Sequence, residues 1–220
     1  MVLNIFSLGS SLFVNLLGST GFIGKDVKTV SDIHNLPFTP LPYTFSIWGL
    51  IYILLSGFAI LNPFNNFILF LISCILNATW IVLWTSCKGD TTHQHGDAYK
   101  CDTNQDLNHV RLSGIVISLL TLSLILLYFK NDIYFNFTAR PAFGIYLGWC
   151  ICATFLNLAI FIDILQVKWV IPLILSLISI VFRDGFINIS FIWASIGILL
   201  NGKNQVEYLL PLLTSIITSF

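Results

Sequence analysis

The chain has 220 residues, of which 56% are hydrophobic and 9% charged, against about 25% charged residues in a soluble domain. A water-soluble globule of this length cannot hide that much apolar surface. A soluble fold is therefore excluded, and an integral, multi-pass membrane protein with the lipid bilayer as its first partner is expected. Ten basic and ten acidic residues cancel to zero net charge, without the basic footprint of a nucleic-acid-binding protein.

A helix crossing a bilayer needs about 20 mostly apolar residues, because each rises about 1.5 Å through a core of about 30 Å. Five segments meet this rule: Val2–Ile23, Tyr43–Leu61, Phe64–Ser86, Val110–Phe129 and Ala142–Ile162. Val2–Ile23 lacks the basic flank of a secretory signal and is read as a retained first helix. Continuous apolar runs without alternation select helices over barrel strands. The expected fold class is therefore all-α, a polytopic helical bundle. Residues 1–163 form its five-helix core, and residues 164–220 hold additional C-terminal transmembrane helices.

That C-terminal part is less regular. Trp169–Phe182, Phe186–Leu200 and Tyr208–Phe220 are shorter than a usual span and are separated by Arg183-Asp184-Gly185 and Asn201-Gly202-Lys203-Asn204. Snorkelling flanks or a thinned bilayer can accommodate them. They are read as three short spans, with one long helix kinked at Arg183-Asp184 as the alternative. Pro172 falls near a helix start, where a missing N–H costs little.

Polar residues gather in two loops, Gly24–Pro42 and Cys87–His109. Lys25, Lys28, Lys88, Lys100, Lys168 and Lys203 fall on odd-numbered loops, which the positive-inside rule places in the cytosol. Cys87 and Cys101 flank the second loop and can pair where it faces an oxidising compartment, although spacing alone leaves pairing open. Cys74, Cys150 and Cys152 lie in apolar runs as small hydrophobes. His93 and His95, with Cys87, Asp90, Asp97 and Cys101, are metal-ligand types, but their spacing matches no standard finger, and a solvated loop is the simpler reading. The sequon at Asn136 lies close to the membrane.

Three helices each present a narrow polar-aromatic stripe. Phe45, Trp48, Tyr52 and Ser56 fall within about 80° on the second apolar helix. Asn77, Trp80 and Trp84 share a face of the third. Tyr146, Trp149, Ala153 and Asn157 share one of the fifth. An asparagine facing lipid leaves its donors and acceptor unpaired, so Asn77 and Asn157 should face inward. Trp and Tyr also anchor helices at membrane interfaces, which suits Trp84 and Trp169 near span ends but not the deeper Trp80, Trp149 and Trp193. Interhelical hydrogen bonding is the bland alternative for the asparagines. Gly144 and Gly148 form a close-contact face, open to either a homodimer or a contact within the chain. Asp163 and Arg183-Asp184 sit at span ends, where capping or an exposed hinge is expected. No acid–base pair, nucleophile or phosphate loop stands out, so the sequence favours binding over catalysis.

Pro40, Pro42, Phe45, Trp48 and Tyr52 resemble the proline-rich first loop and second helix of the TspO/translocator-protein family, the tryptophan-rich sensory proteins. Asn77-Ala78-Thr79-Trp80 is similar to that family's third helix, and Pro141, Trp149, Ala153 and Asn157 to its fifth. Tyr146-Leu147-Gly148-Trp149 and Phe191-Ile192-Trp193-Ala194-Ser195-Ile196-Gly197 resemble its longer TspO/MBR-related branch. The resemblance implies a membrane binding protein or sensor for flat hydrophobic ligands such as porphyrins, with a porphyrin or haem-type group as the implied bound ligand. It places the pocket between helices one, two and five under the first loop. Phe45, Trp48, Tyr52, Tyr146 and Trp149 would contact ligand, supported by Asn77, Trp80, Trp84 and Asn157. Ser46-Ile47 before Trp48 departs from the family's usual Gly-Pro, and the sterol-recognition pattern occurs only at Leu126–Lys130, on helix four. A metabolite transporter and a structural subunit of a larger membrane complex are the rival readings.

Overall fold

A computed structural model describes residues 2–34, 36–61, 67–86, 104–130, 133, 136–202 and 205–219, with side chains from 107 onward in the fourth stretch. Among them, α-helices run over Val2–Ser19 (α1), Val27–His34 (α2), Ile47–Leu61 (α3), Phe67–Thr85 (α4), Asn104–Tyr128 (α5), Ala139–Ala159 (α6), Val170–Phe182 (α7), Gly185–Leu199 (α8) and Leu209–Thr218 (α9). Five apolar segments are long enough to cross a membrane: Val2–Ser19, Pro42–Leu61, Phe67–Thr85, Leu107–Tyr128 and Ala139–Ala159. They coincide with the five expected spans to within a turn at each end. The all-α polytopic bundle expected from composition is thus the fold.

Prolines punctuate the helix starts. Pro42 opens a 3₁₀ turn, Pro42–Ser46, that leads into α3, while Pro141, Pro172 and Pro211 fall in the first turns of α6, α7 and α9. There the absent N–H has no intrahelical partner to lose. Asn136 Oδ1 accepts from the backbone N–H groups of Thr138 and Ala139, both at 2.9 Å, so the sequon asparagine serves the entry to α6.

The packing is inside-out relative to a soluble protein. Large apolar side chains such as Phe6 on α1, Ile53 on α3, Ile68 on α4 and Val181 on α7 are exposed, whereas Asn4, Asn15, Asn77, Asn157 and Asn188 are buried. That is the arrangement a hydrocarbon solvent selects. Helix α6 is the central element, packed by α3, α5 and α8, while α4 bridges α1 and α5. Gly144 and Gly148 are used within the chain. A Cβ on Gly144 would meet Phe186 Cβ at 2.6 Å, and one on Gly148 would strike the Ile187 carbonyl and meet Ser190 Cβ at 2.9 Å. Ser190 Oγ donates to the Ile145 carbonyl at 2.7 Å across the same contact. The face left open between dimer and intrachain packing is therefore filled by α8.

The C-terminal region forms three separate helices, not one kinked rod. Arg183 takes a left-handed conformation (φ 46°) that ends α7, and Asp184 then caps α8 by accepting from Phe186 N and Ile187 N at 3.0 and 3.3 Å. Of the two expectations here, capping or an exposed hinge, Asp184 meets the first, and Arg183 is exposed while Asp184 is not. Asp184 is 2% exposed and also accepts from Tyr128 Oη and Arg140 Nη2, each at 2.7 Å. Ser179, Asn188 and Thr218 tie α7, α8 and α9 in a ring of hydrogen bonds between 2.7 and 3.0 Å.

Candidate functional site

The stripes on α3, α4 and α6 meet on Trp48. Its ring stacks on Tyr52 (centroids 5.6 Å apart) and Trp80 (5.7 Å), and takes edge contacts from Tyr146 (5.9 Å) and Trp149 (6.4 Å). Trp80 continues the stack to Trp84 at 6.3 Å, and Phe45 abuts Trp149 edge-on at 6.0 Å. Offset stacking and edge contacts are the geometries that the ring quadrupole favours. Every aromatic residue proposed from the sequence therefore joins one continuous cluster. Trp84 belongs to it as well: it is buried, and its Nε1 points at the Val27 carbonyl, 3.5 Å away. Trp169 is exposed, as an interface anchor would be.

Among the described residues, two hollows border Trp48, and a third, lined by Phe38, Pro40, Ala194 and Tyr208 among others, meets the cluster at Trp149. The larger of the two beside Trp48, about 370 Å³, is lined by Leu12, Asn15, Leu16 and Ser19 of α1, Val27 of α2, Phe45, Trp48, Gly49 and Tyr52, and Trp80 and Ile81 of α4. Leu16, Ser19 and Gly49 are exposed, so it opens sideways between α1 and α3. The second is a cleft of about 30 Å³ under α2, lined by Val27, Ser31, His34, Thr39, Phe45, Trp48, Trp80, Trp84, Trp149, Ala153 and Asn157, among others. Trp48 and Trp80 wall both. The larger hollow thus lies among the first, second and third spans. Of the two hollows beside Trp48, the fifth span, α6, reaches the narrow cleft, through Trp149, Ala153 and Asn157. Tyr146 lines neither hollow and supports Trp48 from beneath.

The asparagines hold the wall. Asn157 Oδ1 accepts from Trp80 Nε1 at 3.3 Å and Ser113 Oγ at 3.1 Å, while its Nδ2 donates to the Ala153 carbonyl at 2.8 Å. It links α6, α5 and α4. Asn77 Oδ1 accepts from Asn15 Nδ2 at 2.6 Å and Ser11 Oγ at 3.3 Å, tying α4 to α1. The resemblance placed helix one at the pocket, but its individual side chains were missed in the sequence. Their signal was the polar spacing Asn4, Ser7, Ser11, Asn15, one residue per turn on an otherwise apolar helix.

His34 was also missed as a lining residue. It ends α2, its ring lies 5.9 Å from that of Trp84, and its buried Nε2 has no hydrogen-bond partner among the described residues. Burial pushes its pKa below the ordinary 6.5. At the other end of α2, burial alone would raise the Asp26 pKa, but the Thr29 hydroxyl and backbone N–H groups outweigh it and hold the carboxyl below its usual value. Thr29 N donates to Asp26 Oδ1 at 3.1 Å, the capping bond of this short helix.

Among the described residues no Asp, Glu, Lys or Arg lines either hollow beside Trp48. The walls are neutral, aromatic and amide-bearing, suited to a flat apolar molecule rather than to an ion. Arg140 and Asp184 lie outside both. Among the described residues no group of His, Cys, Asp or Glu is placed to hold a metal. The loop that carries Cys87, His93, His95 and Cys101 lies outside them, as does any pairing of Cys87 with Cys101.

The sequence profile of the TSPO-like protein family matches residues 1–89 and 106–220, leaving out part of the polar stretch between α4 and α5 and the first two residues of α5. No curated protein and no solved structure matches the chain. A profile that takes in nearly the whole chain, each polar-aromatic stripe included, settles the affiliation: the chain belongs to the TSPO-like protein family.

Proposed function

We propose that this protein is a membrane-embedded binding protein or sensor for flat hydrophobic ligands of the tetrapyrrole type, held against Trp48. The observation that carries this reading is the stack Tyr52–Trp48–Trp80–Trp84 beside a neutral hollow of about 370 Å³. Ligand pockets span roughly 300–1,000 Å³ and combine apolar walls with a few polar groups. At the low end of that range, a tetrapyrrole would lie partly in the lateral opening between α1 and α3, with one face on the indoles. Its entry is from the bilayer, where such molecules partition. The short helices α7, α8 and α9 are further crossings in this reading, supported by exposed Leu177 and Val181 on α7 and Ile217 on α9.

Titration of the purified protein with protoporphyrin, following tryptophan fluorescence, tests the proposal. Saturable quenching is expected, weakened at least tenfold by Trp48→Phe or Trp80→Phe and less by Trp149→Phe, which does not line the larger hollow. Equal binding by all three variants and the parent would place the site elsewhere.

A further inference from the structure

The proline-broken strap Thr39–Thr44 enters α3 just before Phe45 and Trp48. It is held from a direction that the five-helix core does not supply. Trp193 Nε1 on α8 donates to the Thr44 carbonyl at 2.8 Å. The Leu41 N–H donates to the Gly197 carbonyl at 3.1 Å. Asn201 Nδ2, just past the end of α8, donates to the Thr39 carbonyl at 2.7 Å. Three bonds thus fix the strap at its start, middle and end. Two prolines, Pro40 and Pro42, deny it the N–H groups with which it would otherwise satisfy itself.

Shape reinforces the bonding. Thr44 is fully buried against Gly197, where a Cβ would collide with the threonine side chain. Tyr43 meets Trp193 edge-on at 5.7 Å. One residue beyond Thr44, Phe45 rests on Trp149, and one helical turn further Trp48 carries the aromatic stack.

We propose that Trp193, Gly197 and Asn201 are positioning residues that clamp the 39–44 strap, set the Trp48–Trp80 geometry, and so govern how long a ligand stays. The C-terminal helices then act as a fixed brace on the pocket's loop side, leaving the α1–α3 opening as the route of exchange. This rests on the aromatic wall being the binding surface, as proposed above.

The test uses the full-length protein in detergent or nanodiscs with Trp193→Phe, which keeps the ring and removes the N–H, and Asn201→Ala. Three readouts are compared: hydrogen exchange of the Leu41 and Thr44 amides, the circular-dichroism exciton couplet of the stacked indoles (assigned by its loss in Trp48→Phe), and the protoporphyrin dissociation rate. Each variant is expected to speed exchange of the strap roughly fivefold, the loss of one ordinary hydrogen bond. The couplet should weaken, and porphyrin should leave several-fold faster, while Leu119→Ala on the lipid face of α5 changes none of these. Unchanged strap exchange, or faster exchange with an unaltered couplet, overturns the clamp. A parent protein that fails to bind porphyrin, with exchange and couplet still shifting together in the variants, rejects the ligand reading and leaves the clamp standing.

Discussion

Asp184 and Arg140 form an ion pair of 2.7 Å across the junction of α6 with the α7–α8 turn, with the carboxylate buried and the guanidinium about one-third exposed (34%). One carboxylate oxygen also takes the Tyr128 hydroxyl, and the other caps α8. Every member of the cluster is satisfied, so it rigidifies the junction without offering a vacant site. Breaking a buried pair from one side costs about 3–5 kcal/mol, and loss of a cap about 1 kcal/mol; partial exposure of Arg140 lowers the first figure. Asp184→Ala should therefore destabilise the folded protein by about 3 kcal/mol. Asp184→Asn, which keeps an acceptor for the cap, should cost about half that. Unfolding of the detergent-solubilised protein by increasing denaturing detergent measures both, and equal midpoints for the two variants would refute the double role.

Asn157 serves three helices at once. Replacing it with leucine leaves Trp80 Nε1 and Ser113 Oγ without their shared acceptor in a buried setting, although Ser113 keeps its bond to the Val110 carbonyl. One unsatisfied buried donor costs about 1–3 kcal/mol. The Trp80 ring also loses its tether, so a red-edge shift in fluorescence should accompany the loss in stability. A double-mutant cycle of Asn15→Ala and Asn77→Ala should show coupling of about 1 kcal/mol, typical of hydrogen bonds between membrane helices. Simple additivity would mean that the 2.6 Å contact contributes nothing net.

The elements most legible in the sequence were those whose cause is local. The five long helices follow from apolar run length, and Trp48, Trp80, Trp149 and Asn157 were found because helical spacing puts them on single faces. Two features escaped because their cause is tertiary. The hollow lies against α1, as the resemblance implied, but is closed by α4 rather than by α6, since Ser11 and Asn15 bond Asn77 and bring α1 onto α4, a pairing that spacing within one helix cannot reveal. The burial of Asp184 likewise depends on Arg140 and Tyr128, 44 and 56 residues away. His34 was legible only as a polar loop residue, because an eight-residue helix over a cleft leaves no periodic trace.

Two glycines should respond oppositely to substitution. Gly148→Val drives a branched side chain into the Ile187 carbonyl and Ser190. α8 would have to retreat, at about 1–3 kcal/mol or more for overpacking. Gly57, inside α3, has open space where a Cβ would stand, so Gly57→Ala should stabilise by about 0.5–1 kcal/mol through helix propensity alone. The same unfolding assay compares them. Stability retained in Gly148→Val would show that α6 and α8 are not in close contact.

Acidification should loosen α2 before it affects the spans. Burial against Trp84 lowers the His34 pKa from 6.5, so the docked helix resists a proton that the undocked helix accepts. With more protons bound in the undocked state, docking gains stability as pH rises. The contribution is complete above about pH 6.5–7 and declines as pH falls through 6.5 toward the lowered value. Asp26 acts in the same direction, but its depressed pKa confines the effect to pH below its ordinary 3.8. Between about pH 7.5 and 5.5 only His34 should therefore titrate among these two. Amide exchange of Val30 and fluorescence of Trp84 should both report undocking over that range. His34→Phe, which keeps a ring against the indole, should flatten the response. An identical pH profile in that variant would assign the transition to another group.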